Sequence, residues 1–458
     1  MFNRLTTDIG PHHRFAGLWP VLSSVLFLFL APGLACAQES EAGALPEQEE
    51  KKQQETVEEV TPTEAQQREL EASEDPLKAD QQQRKIERAE DAAKPDVVTK
   101  EPEASKRTTG FDIYGSLRLR YRDQGTEREW EDGGSRAGAQ FDWQFKGGSY
   151  VYARYEAGFN VLTGLERLSN PGERDEEFKD TVFTRLQYVG IESPVVSAIA
   201  GKNWSTYYQV AEFTDRFQGT GASASGAYNA QSDGGPTGPG RADNVIQTQG
   251  LIDFLPQTHF KPFKVNFQVQ YGNDIPFGGG AKYGGAYGLS AILETRTNLK
   301  IGLAYNHAQV DLEENPGLRN IGLNGNANAA LFGIRSFGDR WFAGFVLSRL
   351  ANHETTDDGI YFDGTGSEFY GQYHVFDRFW VVGGYNVLKP DKDQKLARDY
   401  RVRYGVLGIR YSIDGFTRMI WANVRYDDSV NADGTSGSNV YTIGVRWDLS
   451  KRGWHASD

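Results

Sequence analysis

The sequence is poor in three features that would each define a common class of protein. It has one cysteine in 458 residues, which excludes a disulfide framework and a cysteine-based zinc site. No apolar run beyond residue 31 reaches the roughly 18 residues that a membrane-spanning helix needs. The formal charge is −13, and an acidic balance argues against nucleic acid as the main partner. These features leave a soluble protein or a membrane β-barrel.

The first 37 residues have the organisation of a secretory signal peptide. Arg4 and Arg14 form a positive region, a largely apolar run follows over 15–30, and Ala-Cys-Ala over 35–37 forms a small-residue cleavage pattern. We expect cleavage directly after this pattern; a retained membrane anchor and a lipoprotein modified at the cysteine are the alternatives. Cleavage would leave a mature chain without cysteine, which suits an oxidising compartment.

Residues 38–110 form an acidic arm, in which no aromatic residue occurs. The arm contains 20 acidic and 11 basic residues, a net charge of −9. Such a segment cannot bury enough apolar area to offset the entropy lost on ordering. We therefore expect a mostly disordered arm, with a short helix within 64–93 as the alternative.

From residue 111 onward the sequence alternates with a period of two. In the run 263–271, Phe, Val, Phe, Val and Tyr share one face, while Lys, Asn, Gln and Gln share the other. Successive side chains of a strand point to opposite faces, so such runs predict strands with one apolar and one polar face. Sixteen strands are predicted, over 111–122, 135–145, 149–160, 182–192, 195–203, 243–254, 263–272, 284–294, 297–307, 326–337, 340–350, 366–376, 378–388, 400–413, 416–427 and 438–449.

The connections between the predicted strands alternate between tight turns and long polar loops, as in transmembrane β-barrels. Because a barrel of 16 strands leaves a water-filled lumen, we expect the polar faces inside and the apolar faces against lipid; a soluble β-domain is the alternative. Alternation then turns Arg118 and Arg120 inward on the first strand, with Arg136 on the second and Arg185 on the fourth. A charge facing lipid near the midplane would cost about 2–4 kcal/mol, so only the lumen suits these arginines.

One connection, over 204–242, is long enough to expect a function of its own. It holds seven glycines, which permit close backbone packing inside a lumen. The sequence contains no nucleophile elbow, phosphate-binding loop or zinc-protease motif. We therefore predict that the protein is not an enzyme, with a barrel hydrolase assembled from distant Ser and His residues as the alternative.

Five short motifs occur along this region in a fixed order. They are Ile113–Leu117 in the first strand, Thr184–Gly190 in the fourth, 201–215 at the start of the long connection, Gly240-Arg241 at its end, and a last strand with Thr442, Gly444, Trp447 and Leu449. Because these motifs occur in this order, the region of roughly 109–449 resembles the trimeric general porins of Gram-negative outer membranes. The last motif is similar to the signal that the barrel assembly machinery reads in that family.

The resemblance implies an outer-membrane homotrimer whose long connection, loop 3, folds into the pore. It also implies outer-membrane lipid, lipopolysaccharide and the barrel assembly machinery as partners, with no cofactor and no metal. The constriction residues that it implies are Arg136, Arg185 and Arg241 on the wall, with Asp215, Glu212 and Tyr208 on loop 3. Arg118 and Arg120, which alternation turns inward, are further candidates for the constriction.

The sequence departs from the family pattern in four places. Ser116 stands where many members have lysine, and Gly219-Thr220-Gly221 replaces an acidic turn at the tip of loop 3. Residues 450–458 follow Leu449, where the family usually ends on an aromatic residue. The acidic arm is not a usual porin feature, and it is expected in the periplasm.

The resulting prediction is a porin for passive diffusion of small hydrophilic solutes and ions. The alternatives are a substrate-preferring porin, and a porin whose arm also tethers the outer membrane to a periplasmic partner. Ion preference stays open at this stage, because residues 111–458 carry a net charge of about −5 while the predicted arginine wall is positive.

Overall fold

The structure is a computed structural model, and it describes residues 109–125, 127–145, 148–163, 182–252, 260–295, 297–414 and 417–455. The predicted signal peptide and acidic arm lie outside these ranges, apart from the last two residues of the arm, so both stay predictions. Within the described ranges, no helix is long and apolar enough to span a membrane.

Strands account for most of the described residues. They are β1 (Gly110–Asp123), β2 (Arg128–Asp132), β3 (Arg136–Gln144), β4 (Tyr150–Phe159), β5 (Val182–Glu192), β6 (Val196–Trp204), β7 (Arg241–Ile252), β8 (Phe263–Gln270), β9 (Tyr283–Glu294), β10 (Lys300–Val310), β11 (Ala327–Phe337), β12 (Trp341–Thr355), β13 (Tyr361–Phe376), β14 (Phe379–Pro390), β15 (Val402–Asp414), β16 (Arg418–Asp427) and β17 (Val440–His455). A single-turn α-helix, α1 (Tyr208–Ala211), follows β6, and short 3₁₀ helices occupy Pro316–Ile321 and Lys395–Ala397.

The strands form one closed antiparallel sheet. Apart from β2 and β3, each strand pairs with its sequence neighbours, and β17 pairs with β1 from Gly110 opposite His455 to Asp123 opposite Tyr441. Both β2 and β3 pair with β1, one at each end of it, so together they occupy a single position in the barrel. The barrel therefore has sixteen strand positions, and the predicted 16-stranded antiparallel barrel is confirmed.

The break between β2 and β3 has a local cause. The Asp132 carboxylate accepts hydrogen bonds from the backbone N–H groups of Gly134 (2.8 Å) and Ser135 (2.7 Å), which turns the chain out of the ladder. Gly134 adopts a φ of 84°, which glycine reaches without steric cost. The strand then resumes at Arg136.

Several predicted boundaries differ from the structure. Residues 128–132, predicted as loop, are β2, because their backbone pairs with residues 119–123 of β1. The loop predicted over 351–365 is reduced to 356–360, since β12 and β13 both extend into it. The last strand runs to His455, past the predicted end at 449, where it stays paired with β1.

The barrel wall is polar inside and apolar outside. On β1, Ser116, Arg118 and Arg120 are buried, whereas the alternating Ile113 and Leu117 are exposed. Polar faces buried and apolar faces exposed are the reverse of a soluble sandwich and the expected state of a lipid-facing wall. Exposed aromatic residues also gather at strand ends near the short turns, as interfacial girdles do; they include Phe141, Trp143, Phe145, Phe376 and Phe379.

We expect Ile409→Arg, in the middle of β15, to lower the free energy of unfolding by about 2–4 kcal/mol, because the side chain is 56% exposed on the apolar face. Urea unfolding from lipid bilayers, followed by tryptophan fluorescence, measures this change. Ile409→Val is the matched control, with an expected loss of about 0.5–1.5 kcal/mol at most. Equal stability of Ile409→Arg and wild type would contradict a lipid-facing β15.

Candidate functional site

Residues 205–240, loop 3, connect β6 to β7 and are almost entirely buried. Tyr207, Val210 and Phe217 each expose less than 1% of their surface. The hydrogen-bond partners of loop 3 lie on the inner faces of strands spread around the barrel wall. The contacting residues are Arg120 of β1, Gln268 of β8, Asn306 of β10, Ser348 of β12, Glu368 of β13, Asn386 of β14 and Asn423 of β16.

Glu368 is the strongest anchor of loop 3 among these residues. Its Oε1 accepts hydrogen bonds from the backbone N–H groups of Ala224 (2.6 Å) and Ser225 (2.7 Å), and its Oε2 accepts one from the Thr214 hydroxyl (2.8 Å). The side chain is fully buried, and an ionised carboxylate there is stable only with several such donors. One carboxylate of β13 thus holds two separate parts of loop 3.

Glycines let the backbone of loop 3 approach the wall. A Cβ at Gly344 of β12 would lie 2.0 Å from the carbonyl oxygen of Phe213, and a Cβ at Gly366 of β13 would lie 1.9 Å from that of Ala224. Neither position can hold a larger residue unless the loop moves. The close approach lets Phe213 and Val210 pack into the wall and adds an apolar component to the anchoring.

The C-terminal root of loop 3 is held by an ion-pair network. Asp233 lies 3.1 Å from the Lys202 Nζ and 3.3 Å from the Arg241 Nε, and Lys202 also lies 2.7 Å from Asp243. Burial alone would raise the pKa of Asp233, but the positive charges of Lys202 and Arg241 outweigh it and hold the pKa at about 2. Arg241, predicted to line the constriction, is therefore engaged at the root of loop 3.

Asp215 lies inside loop 3 beside two tyrosines. Its Oδ2 accepts hydrogen bonds from the hydroxyls of Tyr208 and Tyr228, the latter at 2.7 Å. Tyr208 in turn stacks on Trp204, with ring centroids 3.9 Å apart. The structure thus brings the predicted pair Tyr208 and Asp215 together, and buries both. Glu212 is half-buried at the end of α1, where its backbone N–H donates to the Tyr208 carbonyl.

The predicted arginines of β3 and β5 converge on Glu156 of β4. Arg185 Nε lies 3.0 Å from Glu156 Oε1, and Arg136 Nη1 lies 3.8 Å from the same oxygen. Arg154 binds the other oxygen at 3.2 Å, and its Nε donates to the Tyr114 hydroxyl at 2.7 Å. Three guanidinium groups around one carboxylate leave a net positive wall.

Two more predicted arginines lie on β1. Arg118 donates from its Nε to the Ser116 hydroxyl at 2.8 Å. Arg120 forms an ion pair with Glu131 of β2 and also donates to the Gly219 carbonyl of loop 3 at 3.4 Å. Arg120 thus connects this wall to the tip of loop 3 through a hydrogen bond.

Sequence reasoning missed the carboxylates that organise the site. Glu156 follows Arg154 by two residues, so alternation alone places both on the inner face of β4 and could have found it. Glu368 carried no such signal, because its partners lie 143 to 154 positions away in the sequence. Asp233 lies in the irregular part of loop 3, where alternation assigns no face to a side chain. No cluster of three or more His, Cys, Asp or Glu side chains suited to a metal ion occurs in the described ranges.

No family model and no curated protein matches this chain. Among solved structures, it is similar to OmpF of Salmonella typhi in complex with daunomycin, with a TM-score of 0.59 and 16% identity over 75% of this chain and 98% of that one. OmpT of Vibrio cholerae in its trimer form gives a TM-score of 0.53 and 14% identity over 75% and 100%. The anion-selective porin from Comamonas acidovorans gives 0.53 and 14% over 74% and 100%.

The class defined by the fold is the closed transmembrane β-barrel. Within it, the chain has the fold of the outer-membrane porins, which confirms the predicted resemblance at the level of the fold. The predicted location in the outer membrane agrees with this fold and with the apolar outer wall.

We expect Glu368→Gln to speed amide hydrogen exchange at Ala224 and Ser225 by about tenfold or more. A hydrogen bond to a charged group contributes about 1.5–3 kcal/mol, and the variant weakens two of them while presenting an NH₂ group to donors. Exchange followed by mass spectrometry on detergent-solubilised protein measures the effect. Glu313→Gln, in an exposed loop, should leave exchange at these amides unchanged.

Proposed function

We propose that the protein is an outer-membrane channel for passive diffusion of small hydrophilic solutes and ions. The observation that carries this proposal is a closed barrel of sixteen strand positions whose inner face is polar and charged. A barrel of that size is too wide for side chains to fill and leaves an aqueous passage. The porin fold of the similar structures supports the same function, and a channel of this kind performs no covalent chemistry.

Loop 3 forms the constriction in this proposal. Its contacts reach strands spread around the wall, and the anchors at Glu368 and Asp233 hold its middle and its C-terminal root. The remaining passage runs between loop 3 and the positive wall of Arg136, Arg154 and Arg185 around Glu156. Fixed charges beside a narrow aqueous path set which ions and dipolar solutes pass.

A cysteine placed on loop 3 tests the constriction. Gln218 is partly exposed near the loop tip, and the sequence has no cysteine beyond Cys36, so Gln218→Cys gives one reactive thiol in the chain from residue 38. We expect a bulky methanethiosulfonate reagent to lower single-channel conductance in planar bilayers by about half or more, because the lumen is otherwise open.

Thr297→Cys, in the short turn between β9 and β10, is the matched control and should conduct normally after labelling. Folded protein without ohmic conductance steps would refute the channel. If labelling of Gln218→Cys leaves the conductance unchanged, the constriction at loop 3 is refuted, but the proposed channel function is not.

We further propose that the channel is a homotrimer that associates through the outer face of β3 to β6. That face carries a group of alanines beside larger residues such as Tyr155 and Val189, whereas the outer face farther along the barrel presents Leu407, Ile409 and Ile443. A cavity of about 860 Å³ opens there, and the exposed polar Gln187 contributes to its lining. A polar side chain and a group of small residues that line a cavity suit another protein better than lipid. The small residues of this face are Ala137, Ala139, Ala153, Ala198 and Ala200.

We expect Ala153→Trp to give folded monomers in place of trimers, because the large ring would hold a second copy away from β4. Light scattering coupled to size-exclusion chromatography in detergent measures the mass. Val381→Trp, on the apolar outer face of β14, is the control and should keep the wild-type mass. An intact Ala153→Trp trimer would exclude this face as the interface.

A further inference from the structure

A row of side chains crosses the inner wall between Glu156 and the short turns. The ladders place Gln140 of β3 directly opposite Arg154 of β4, and Arg154 directly opposite Tyr188 of β5. Directly opposite residues share a face of the sheet, and their Cβ atoms lie about 4.5–5.5 Å apart. The row faces the lumen, because Val189, which follows Tyr188 along β5, is exposed on the apolar outer face.

Arg154 is the most exposed of the three arginines around Glu156. Its side chain is 30% exposed, compared with 10% for Arg136 and 1% for Arg185. Its hydrogen bonds use one edge of the guanidinium group, where Nε donates to the Tyr114 hydroxyl and Nη2 donates to Glu156. In the part of the chain that the structure describes, Nη1 has no acceptor, so the other edge of the group is open to the lumen.

Tyr114 holds this guanidinium group in place. Its hydroxyl accepts from Arg154 Nε at 2.7 Å and donates to Glu156 at 2.9 Å, and the guanidinium carbon lies 4.8 Å from the centroid of the tyrosine ring. Tyr114 can reach across β3 because residue 138 is glycine, since a Cβ at Gly138 would clash with the ring. A group that is already fixed loses little conformational entropy when it binds a solute.

Tyr188 supplies an aromatic surface beside Arg154. It is partly exposed, and its ring meets that of Tyr152 edge to face, with centroids 6.1 Å apart and ring planes at 87°. The Tyr152 ring crosses Gly190, where a Cβ would clash with it. On its other side Tyr188 lies opposite Gly201 of β6, which has no side chain to cover it. A planar group that binds Arg154 therefore has an aromatic partner one strand away.

Attraction of anions in general does not distinguish this place. Carboxylates accompany the arginines on the inner face of β1 to β5, and they include Asp112, Glu131, Asp142, Glu156 and Glu192. Asp142 also accepts a hydrogen bond from Gln140, the neighbour of Arg154 in the row, at 2.9 Å. What distinguishes Arg154 is an open guanidinium edge directly beside an aromatic ring.

We propose that Arg154 and Tyr188 form a binding site in the lumen for solutes with a carboxylate on a planar ring, the aromatic carboxylates. This inference rests on the proposed function, since the solute reaches the site through the same lumen. The carboxylate accepts hydrogen bonds from the open edge of Arg154, for which the planar guanidinium fork is well matched. The ring packs against Tyr188, and aromatic pairs add to the free energy of binding beyond the area they bury.

The test is the block of single-channel current in planar bilayers by benzoate, with acetate and benzamide as comparison solutes. Acetate has the carboxylate without the ring, and benzamide has the ring without the charge. We expect benzoate to reach half-block at a concentration about tenfold or more below that of either solute, because it alone makes both contacts. A tenfold difference corresponds to about 1.4 kcal/mol.

Two substitutions separate the contributions of the charge and the ring. Arg154→Gln should raise the half-blocking concentration of benzoate about tenfold, because it removes the charged partner of the carboxylate. Tyr188→Leu should raise it about threefold, whereas Tyr188→Phe keeps the ring and should leave it at the wild-type value.

Arg425→Gln, on the inner face of β16, is the matched control for Arg154→Gln. Arg425 is 26% exposed, pairs with Asp427, and has its guanidinium carbon 4.3 Å from the Tyr404 ring centroid. Its ladder partners are valines, so it has no aromatic neighbour comparable to Tyr188. This variant should keep the wild-type half-blocking concentration of benzoate.

Equal block of the wild-type channel by benzoate and acetate would overturn the inference, and so would wild-type block of Arg154→Gln. An equal loss of block in Arg425→Gln would assign the effect to the charge of the whole lumen and overturn the site as well. If Arg154→Gln does not fold, the comparison of Tyr188→Leu with Tyr188→Phe decides, because neither changes an ion pair. Folded wild-type protein without any conductance would instead refute the proposed function.

Discussion

The pairing of β17 with β1 is the constraint on which the remaining structure depends. Lipid offers no hydrogen-bond partner for the backbone, so a sheet is stable there only when its first and last strands close on each other. The ladder from Gly110 to Asp123 achieves this over the length of β1. Once the sheet is closed, its polar faces can avoid lipid only by facing the lumen. The charges that line the lumen result from this arrangement.

Loop 3 shows how a long connection can be fixed inside such a barrel. It has one helical turn and little regular structure, so its backbone groups need partners on the wall. Glu368 supplies acceptors, amide side chains of the strands supply donors, and glycines such as Gly344 and Gly366 leave room for the backbone. Loop 3 is rich in glycine, and the strands that it contacts also have glycines at points of close approach.

Alternation predicted the strand number and the inward direction of Arg118, Arg120, Arg136 and Arg185, because a strand fixes the side of every second residue. It did not predict β2, whose charged residues resemble a loop and become a strand only beside β1. It also did not predict what the inward charges bind. Arg216 lies over the ring of Phe342, which is 126 positions away in the sequence, and this contact depends on the path of loop 3.

The amino-acid sequence alone determined that the chain forms a barrel with its polar faces inside, since a period of two and the need to keep charge out of lipid are local properties that each strand carries by itself. The tertiary structure decided how the charges are grouped: Glu156 with three arginines on one wall, Asp233 at the root of loop 3, and Arg216 of loop 3 over the ring of Phe342. That grouping depends on the register between strands and on the path of loop 3. Both are set by contacts between residues distant in the sequence, and no local pattern encodes them.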